Sequence, residues 1–200
     1  MKNFKPFLLV VSLFTFSLTS NAQTYSEGDF IFDIIAGGPN FSKAFVGGDV
    51  DLTGEGNEEV TGMLPIGARG EYMIADKFGI GLEITFASGK RVYDYTFGGD
   101  DYIDTWKHNK LRILPTFNFH FLDSDVADLY LGIGAGFKNV NYTFESTDED
   151  ALGGLELPTG KIAAKLALGS RFYFNDNIGL NVAFALGGPL VSGGLSFRVQ

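Results

Sequence analysis

From Ile162 to Phe174 the chain alternates without a break. Ile162, Ala164, Leu166, Leu168, Ser170, Phe172 and Phe174 hold one parity; Ala163, Lys165, Ala167, Gly169, Arg171 and Tyr173 hold the other. A period of two is the mark of a strand. The same alternation runs through segments at roughly 29–38, 61–74, 78–97, 102–121, 127–146, 159–174, 177–187 and 191–199. The apolar stripes are long: Phe78, Ile80, Leu82, Ile84 and Phe86 in one, Leu111, Ile113, Pro115, Phe117, Phe119 and Phe121 in the next. A soluble barrel buries such a stripe and shows its charges to water. Here the charged parity is also the narrow, glycine-rich one, so it is the interior, and the apolar stripes face lipid over about ten residues each. The expected fold is all-β: an eight-stranded antiparallel up-and-down transmembrane β-barrel.

An even strand number puts both chain ends on the side where an exported chain starts, the periplasm. The tight turns Ala75-Asp76-Lys77, Leu122–Val126 and Asn175-Asp176-Asn177 fall there. The acidic loops 39–60 and 147–158, Gly98–Asp101 and the Gly-Gly-Pro turn at 187–189 fall on the other side. The segments 78–97, 102–121 and 127–146 are about twice the length a bilayer requires, which predicts a protruding extracellular sheet. Pro115 interrupts its strand, and a local bulge is the expected accommodation.

Residues 1–22 read as a signal peptide, cleaved before Gln23 after export through the Sec route: Lys2 and Lys5 precede a greasy run from Phe7 to Leu18, then Ser20-Asn21-Ala22. Residues 23–200 form one barrel domain. Removing residues 1–22 takes the formal charge from −9 to −11, which excludes nucleic acid as a partner. With no cysteine in the chain, a lipidated cysteine, disulfides and thiolate metal sites are excluded. No cofactor is expected, and the protein is expected to be a monomer.

Asp33, Arg69, Glu71, Glu83, Arg112, Lys165, Arg171 and Arg198 all lie on the inward parity. Facing lipid at the midplane, an Arg or Lys costs about 2–4 kcal/mol, so these charges form a lumen cluster. Asp33, Arg69, Glu71, Glu83 and Arg171 are expected at one height, with Arg112 and Lys165 a layer above. An eight-stranded bore is just wide enough for side chains to fill, so the cluster plugs the barrel; a gated polar conduit is the alternative. Above the membrane the aromatic parity flips. Tyr93, Tyr95, Phe97, Tyr102, Trp106, Tyr142 and Phe144 take the inward phase, as do Leu155 and Leu157. They form either a small cap core beneath the loops or a face for a hydrophobic ligand or a partner strand.

Two weaker patterns remain. Asp49, Asp51, Thr53 and Gly54, with Glu55, resemble the opening of a calcium loop, but Val60 holds the twelfth position and no helix pattern flanks it. A solvated acidic loop is the competing reading. His108 and His120 are the two histidines, and neither sits in a readable nucleophile–base–orienter set. Catalysis is not expected; a lipid-modifying enzyme ranks third.

Phe78-Gly79-Ile80-Gly81-Leu82-Glu83 after a tight turn, Leu129-Tyr130-Leu131-Gly132-Ile133-Gly134-Ala135-Gly136, and the closing Gly194-Leu195-Ser196-Phe197-Arg198-Val199-Gln200 carry a resemblance. The chain resembles the small eight-stranded outer-membrane β-barrels of Gram-negative bacteria, the OmpA/OmpX type, also grouped as porin-like outer-membrane barrels. The resemblance implies outer-membrane lipid around the barrel, and periplasmic chaperones and the barrel-assembly machinery as partners. It implies a role at the cell surface, in adhesion or envelope integrity, with no catalytic residues to transfer. That family's last strand commonly ends on an aromatic residue; here the last aromatic is Phe197.

Overall fold

The computed structural model describes residues 25–47, 56–124, 127–148 and 161–199. The segment 1–22, the calcium-loop candidates Asp49, Asp51, Thr53 and Glu55, and Leu155 and Leu157 lie outside them. The elements are β1 (Phe30–Gly38), α1 (Phe41–Val46), β2 (Gly56–Thr61), β3 (Ile66–Ala75), β4 (Phe78–Phe97), β5 (Asp100–Asp123), β6 (Ala127–Ser146), β7 (Ile162–Tyr173), β8 (Ile178–Leu186) and β9 (Val191–Val199).

All of these strands except β2 run antiparallel around one ring, in the order β1-β3-β4-β5-β6-β7-β8-β9. The ring closes where β1 pairs with β9, from Phe30 opposite Val199 to Gly38 opposite Val191. Closure is what a bilayer demands, because an unpaired backbone group in hydrocarbon costs several kcal/mol. The side chains are inside out relative to a soluble barrel. Along β8, Ile178, Leu180, Val182, Phe184 and Leu186 are exposed, whereas Gly179, Asn181, Ala183 and Ala185 are buried. Leu82, Ile113, Phe117, Leu131, Ile133 and Leu195 add to the apolar exterior. No second layer of described residues covers this surface, so lipid is the solvent that accounts for it.

Above Phe86 and Leu111 the β4–β5 hairpin leaves the ring and continues to Phe97 opposite Asp100. Its tip is Gly98-Gly99, with φ of 67° and 99°. Two consecutive positive-φ residues make the two-residue turn that matches the twist of long paired strands. β6 follows β5 as far as Ser146 opposite Asp104. On the far flank, β2 pairs with β4 from Gly56 opposite Tyr95 to Thr61 opposite Lys90. The projecting sheet is therefore β2-β4-β5-β6.

Two expectations need correction here. The segment read as loop 39–60 contains α1 and most of β2, and the strand read at 61–74 divides at Gly62–Pro65 into β2 and β3. β2 carries Asn57, Glu58 and Glu59, so no apolar stripe marks it: above the membrane neither face meets lipid. α1 is too short for a periodic signal. It is fixed by Asn40, whose side chain accepts from the Lys43 N–H at 3.1 Å and donates to the carbonyls of Met63 and Ser88 at 2.7 and 2.8 Å. It also lies close on Gly89, where any Cβ would come within 2.3 Å of the Ser42 carbonyl oxygen.

The bulge expected at Pro115 is absent. Ile113 opposite Phe137 and Thr116 opposite Gly134 share one register, so the β5–β6 ladder skips the proline without shifting. Its other neighbour, Leu82 on β4, stays in register. The bulges lie instead near the periplasmic turns, at Met73/Ala75 and at His120/Leu122.

Candidate functional site

The bore near the periplasmic end is crossed by ion pairs. Arg171 on β7 donates to Glu71 on β3 at 2.6 Å, to Asp33 on β1 at 3.0 Å and to Asp128 on β6 at 3.2 Å. β3 and β7 are diametrically opposite in the eight-membered ring, so the Arg171–Glu71 bond spans the full bore. Arg69 pairs with Asp33, and its guanidinium also donates to the Tyr130 hydroxyl at 2.7 Å. Ser196 donates to the second Asp33 oxygen at 2.6 Å, and Asn181 donates to Tyr130 at 3.2 Å. His120 sits between carboxylates, with Nδ1 2.7 Å from Asp128 and Nε2 2.9 Å from Glu71. The guanidinia of Arg69 and Arg171 also lie over the Tyr130 ring, at 4.8 and 4.6 Å from its centroid. Asp33, His120, Asp128 and Arg171 are wholly buried.

The glycines on the inward parity make this packing possible. A Cβ on Gly169 would lie 2.2 Å from the Tyr130 ring, and one on Gly79 would lie 2.2 Å from a Glu71 oxygen. Below the ionic layer an apolar plate closes the periplasmic end: Tyr25, Ile31, Met73 and Tyr173. Tyr25 is anchored to the Tyr173 hydroxyl at 2.8 Å.

All eight charged residues marked on the inward parity are buried, but they do not form one group. Asp33, Arg69, Glu71 and Arg171 meet as described. Glu83, expected at their height, bonds instead to Lys165. In a tilted barrel the rows of paired residues climb around the wall, so residues in register at Arg69 and Glu83 sit on different partners. Arg112 joins neither group by an ion pair among the described residues. Arg198 belongs to the periplasmic rim, where its Nε donates to the Asp176 carbonyl at 2.6 Å and its head lies 5.0 Å from the Tyr173 ring centroid. Asp128, Tyr130, Asn181, Ser196 and Tyr25 were not marked in the sequence, and His120 was weighed only as a catalytic residue. The first four and His120 all lie on the inward parity, which was the available signal; Tyr25 precedes β1 and carried none.

Six of the seven aromatic positions of the projecting sheet fall into three sets. Tyr93, Tyr95 and Tyr102 stack in a row with centroids 5.5 and 5.6 Å apart. Trp106 packs on Phe144 at 5.2 Å, with Arg91 above the indole at 5.2 Å. Arg91 is held by Glu58 of β2 at 3.0 Å. Tyr142, with His108, is covered by Phe45 of α1, at 6.1 and 4.8 Å. Phe97 stands at the tip, 74% exposed. His108 is buried outside the membrane span. That burial, with Lys110 nearby, pushes its imidazole below the ordinary histidine value.

A closed eight-stranded antiparallel barrel, apolar outside and ionic inside, is the architecture of the small outer-membrane barrels of the OmpA/OmpX type, and this chain has it. No protein-family model matches the chain, and no curated protein matches its sequence. Among solved structures it is similar to the outer-membrane protein OprG of Pseudomonas aeruginosa, at 16% identity and a TM-score of 0.45, over 90% of this chain and 100% of that one. It is also similar to Ail, the attachment invasion locus protein of Yersinia pestis, at 13% identity and a TM-score of 0.39, over 86% and 99% of the two chains. A designed transmembrane β-barrel aligns at 10% identity with a TM-score of 0.43, over 89% and 100%.

Proposed function

We propose that this protein is a monomeric barrel of the bacterial outer membrane that does not conduct, and that its projecting sheet serves surface contact, in adhesion or envelope integrity. The observation that carries the first half is the Arg171–Glu71 bond between opposite strands, locked by Asp33, Asp128 and His120. A diffusion pore leaves such a cross-section open, which takes about 16 strands. The second half rests on strand length: β4, β5 and β6 continue well past the apolar band and carry aromatic side chains on one face. Outer-membrane lipid surrounds the barrel in this reading. The segment 1–22 directs export, and periplasmic chaperones and the assembly machinery deliver the chain. Planar-bilayer recording is expected to show no steady channel. Replacing Tyr93, Trp106 and Tyr142 together by alanine is expected to abolish binding of whole cells to a host-cell or matrix surface while the barrel still inserts. Unchanged binding would remove the aromatic face from the account.

A second reading has one observation of its own. The Tyr93–Tyr95–Tyr102 stack beside Trp106 and Phe144 offers flat apolar surface to a small hydrophobic ligand. Trp106 is the single tryptophan, so its emission reports that site directly. A saturable shift on adding a hydrophobic probe supports this reading; a linear, partition-like response rejects it.

A further inference from the structure

The two ends of the bore differ in charge balance. At the periplasmic end Asp33, Glu71 and Asp128 face Arg69, Arg171 and the His120 ring, and each carboxylate is engaged. At the outer mouth Lys110, Arg112, Lys138 and Lys165 share the inward face. Among the described residues, the carboxylate at this level is Glu83, whose Oε2 is bonded to Lys165 while its buried Oε1 has no hydrogen-bond partner, so four cations face one carboxylate. Arg112 and Lys138 are direct cross-strand partners, and like charges set opposite one another destabilise a sheet.

Arg112 is the sharpest element of this mismatch. It is 5% exposed, yet its Nη2 has no hydrogen-bond partner. A guanidinium desolvated to that degree with a nitrogen left unbonded is costly. Arg112 lines a cavity of about 40 Å³ between α1, β4, β5 and the β8–β9 turn, together with Ser42, Thr85, Lys110 and Gly188 and with apolar proline and phenylalanine side chains. At Gly188 a Cβ would lie 3.0 Å from Arg112 Nη1, so the missing side chain leaves that nitrogen room. The volume exceeds the roughly 10–15 Å³ that one water needs on the same measure and suits a single tetrahedral group rather than a sugar ring.

We propose that the outer mouth is a binding site for a phosphate-type oxyanion, either free or as the terminal phosphate of a larger molecule. Arg112 supplies the fork geometry that fits two oxygens of such a group. Lys110 lines the same cavity, and Lys138 adds field from across the strand pair. Ser42 and Thr85 line the same cavity. The site is independent of whether the bore conducts or the aromatic face binds.

The test uses the full chain in phosphatidylcholine nanodiscs, titrated with inorganic phosphate and followed by calorimetry and phosphorus NMR. A second arm replaces part of the lipid with phosphatidic acid, which carries the same terminal group on a lipid. Saturable binding in either arm, weakened at least about tenfold by Arg112→Gln as expected for one charge-assisted hydrogen bond, supports the site. The double variant Lys110→Gln/Lys138→Gln keeps the buried arginine and is expected to weaken binding severalfold, with the heat-induced mobility shift of the folded barrel unchanged. No saturable binding in either arm, or both variants binding like the parent, overturns the proposal.

Discussion

Replacing Arg171 by methionine removes the one group, among the described residues, that touches Asp33, Glu71 and Asp128 together. Its nitrogens lie 2.6 Å from Glu71, 3.0 Å from Asp33 and 3.2 Å from Asp128. The side chain is wholly buried, so no water replaces those donors without repacking. Asp33 keeps Arg69 and Ser196, Glu71 keeps the His120 ring, and Asp128 keeps the same ring and accepts from the Tyr25 hydroxyl at 3.4 Å. Breaking a buried ion pair by deleting one partner costs about 3–5 kcal/mol. Arg171 completes three, but their energies are not additive, so the same range is the working figure. Urea unfolding of the barrel in detergent or lipid vesicles measures it. The double variant Arg171→Met/Glu71→Gln removes one carboxylate with the cation and is expected to recover about 1–3 kcal/mol. A methionine variant within about 1 kcal/mol of the parent, outside the range for a broken buried pair, would show that the layer is not held as described.

Other consequences follow from single contacts. Gly169→Ala drives a methyl group into the Tyr130 ring and is expected to cost about 1–3 kcal/mol by overpacking, read in the same unfolding assay. Asn40→Ala loses the cap of α1, worth about 1 kcal/mol, and is expected to speed amide exchange across Phe41–Val46. The folded His108 titrates below its unfolded value of about 6.5. The contact of Phe45 on its neutral ring is therefore fully supported above that pH and weakens as pH falls through the folded value. Protection factors at α1, corrected for the intrinsic pH dependence of amide exchange, should fall from pH 7.5 to pH 5 in the parent and stay flat in His108→Phe. Val182→Arg puts a charge on the lipid face near mid-membrane and is expected to lose about 2–4 kcal/mol, whereas Ala183→Ser, facing the bore, should lose less.

The strands 78–97, 127–146 and 191–199 were legible in the sequence to the residue. Lipid outside and a narrow bore inside impose opposite demands on adjacent residues, and that period survives in the sequence. β2 and α1 were not legible, because above the membrane both faces of β2 can be polar and six residues of helix show no periodicity. The parity of Lys165 and Arg171 was readable, but their partners were not. Barrel tilt decides whether Glu83 meets Arg171 or Lys165, and a one-dimensional pattern does not contain it. Pro115 was misread for a related reason: a ladder can drop two pairs and keep its register.

The account depends on the alternating outward residues meeting acyl chains. The chain has no cysteine, so single cysteines placed in turn from Leu180 to Leu186 can carry nitroxide labels in a bilayer. Labels at 180, 182, 184 and 186 are expected to relax with lipid-soluble oxygen and resist a water-soluble nickel chelate, while those at 181, 183 and 185 are expected to be shielded from oxygen. Loss of that alternation, or chelate access to 180, 182 and 184, would mean that Leu180, Val182 and Phe184 do not face lipid.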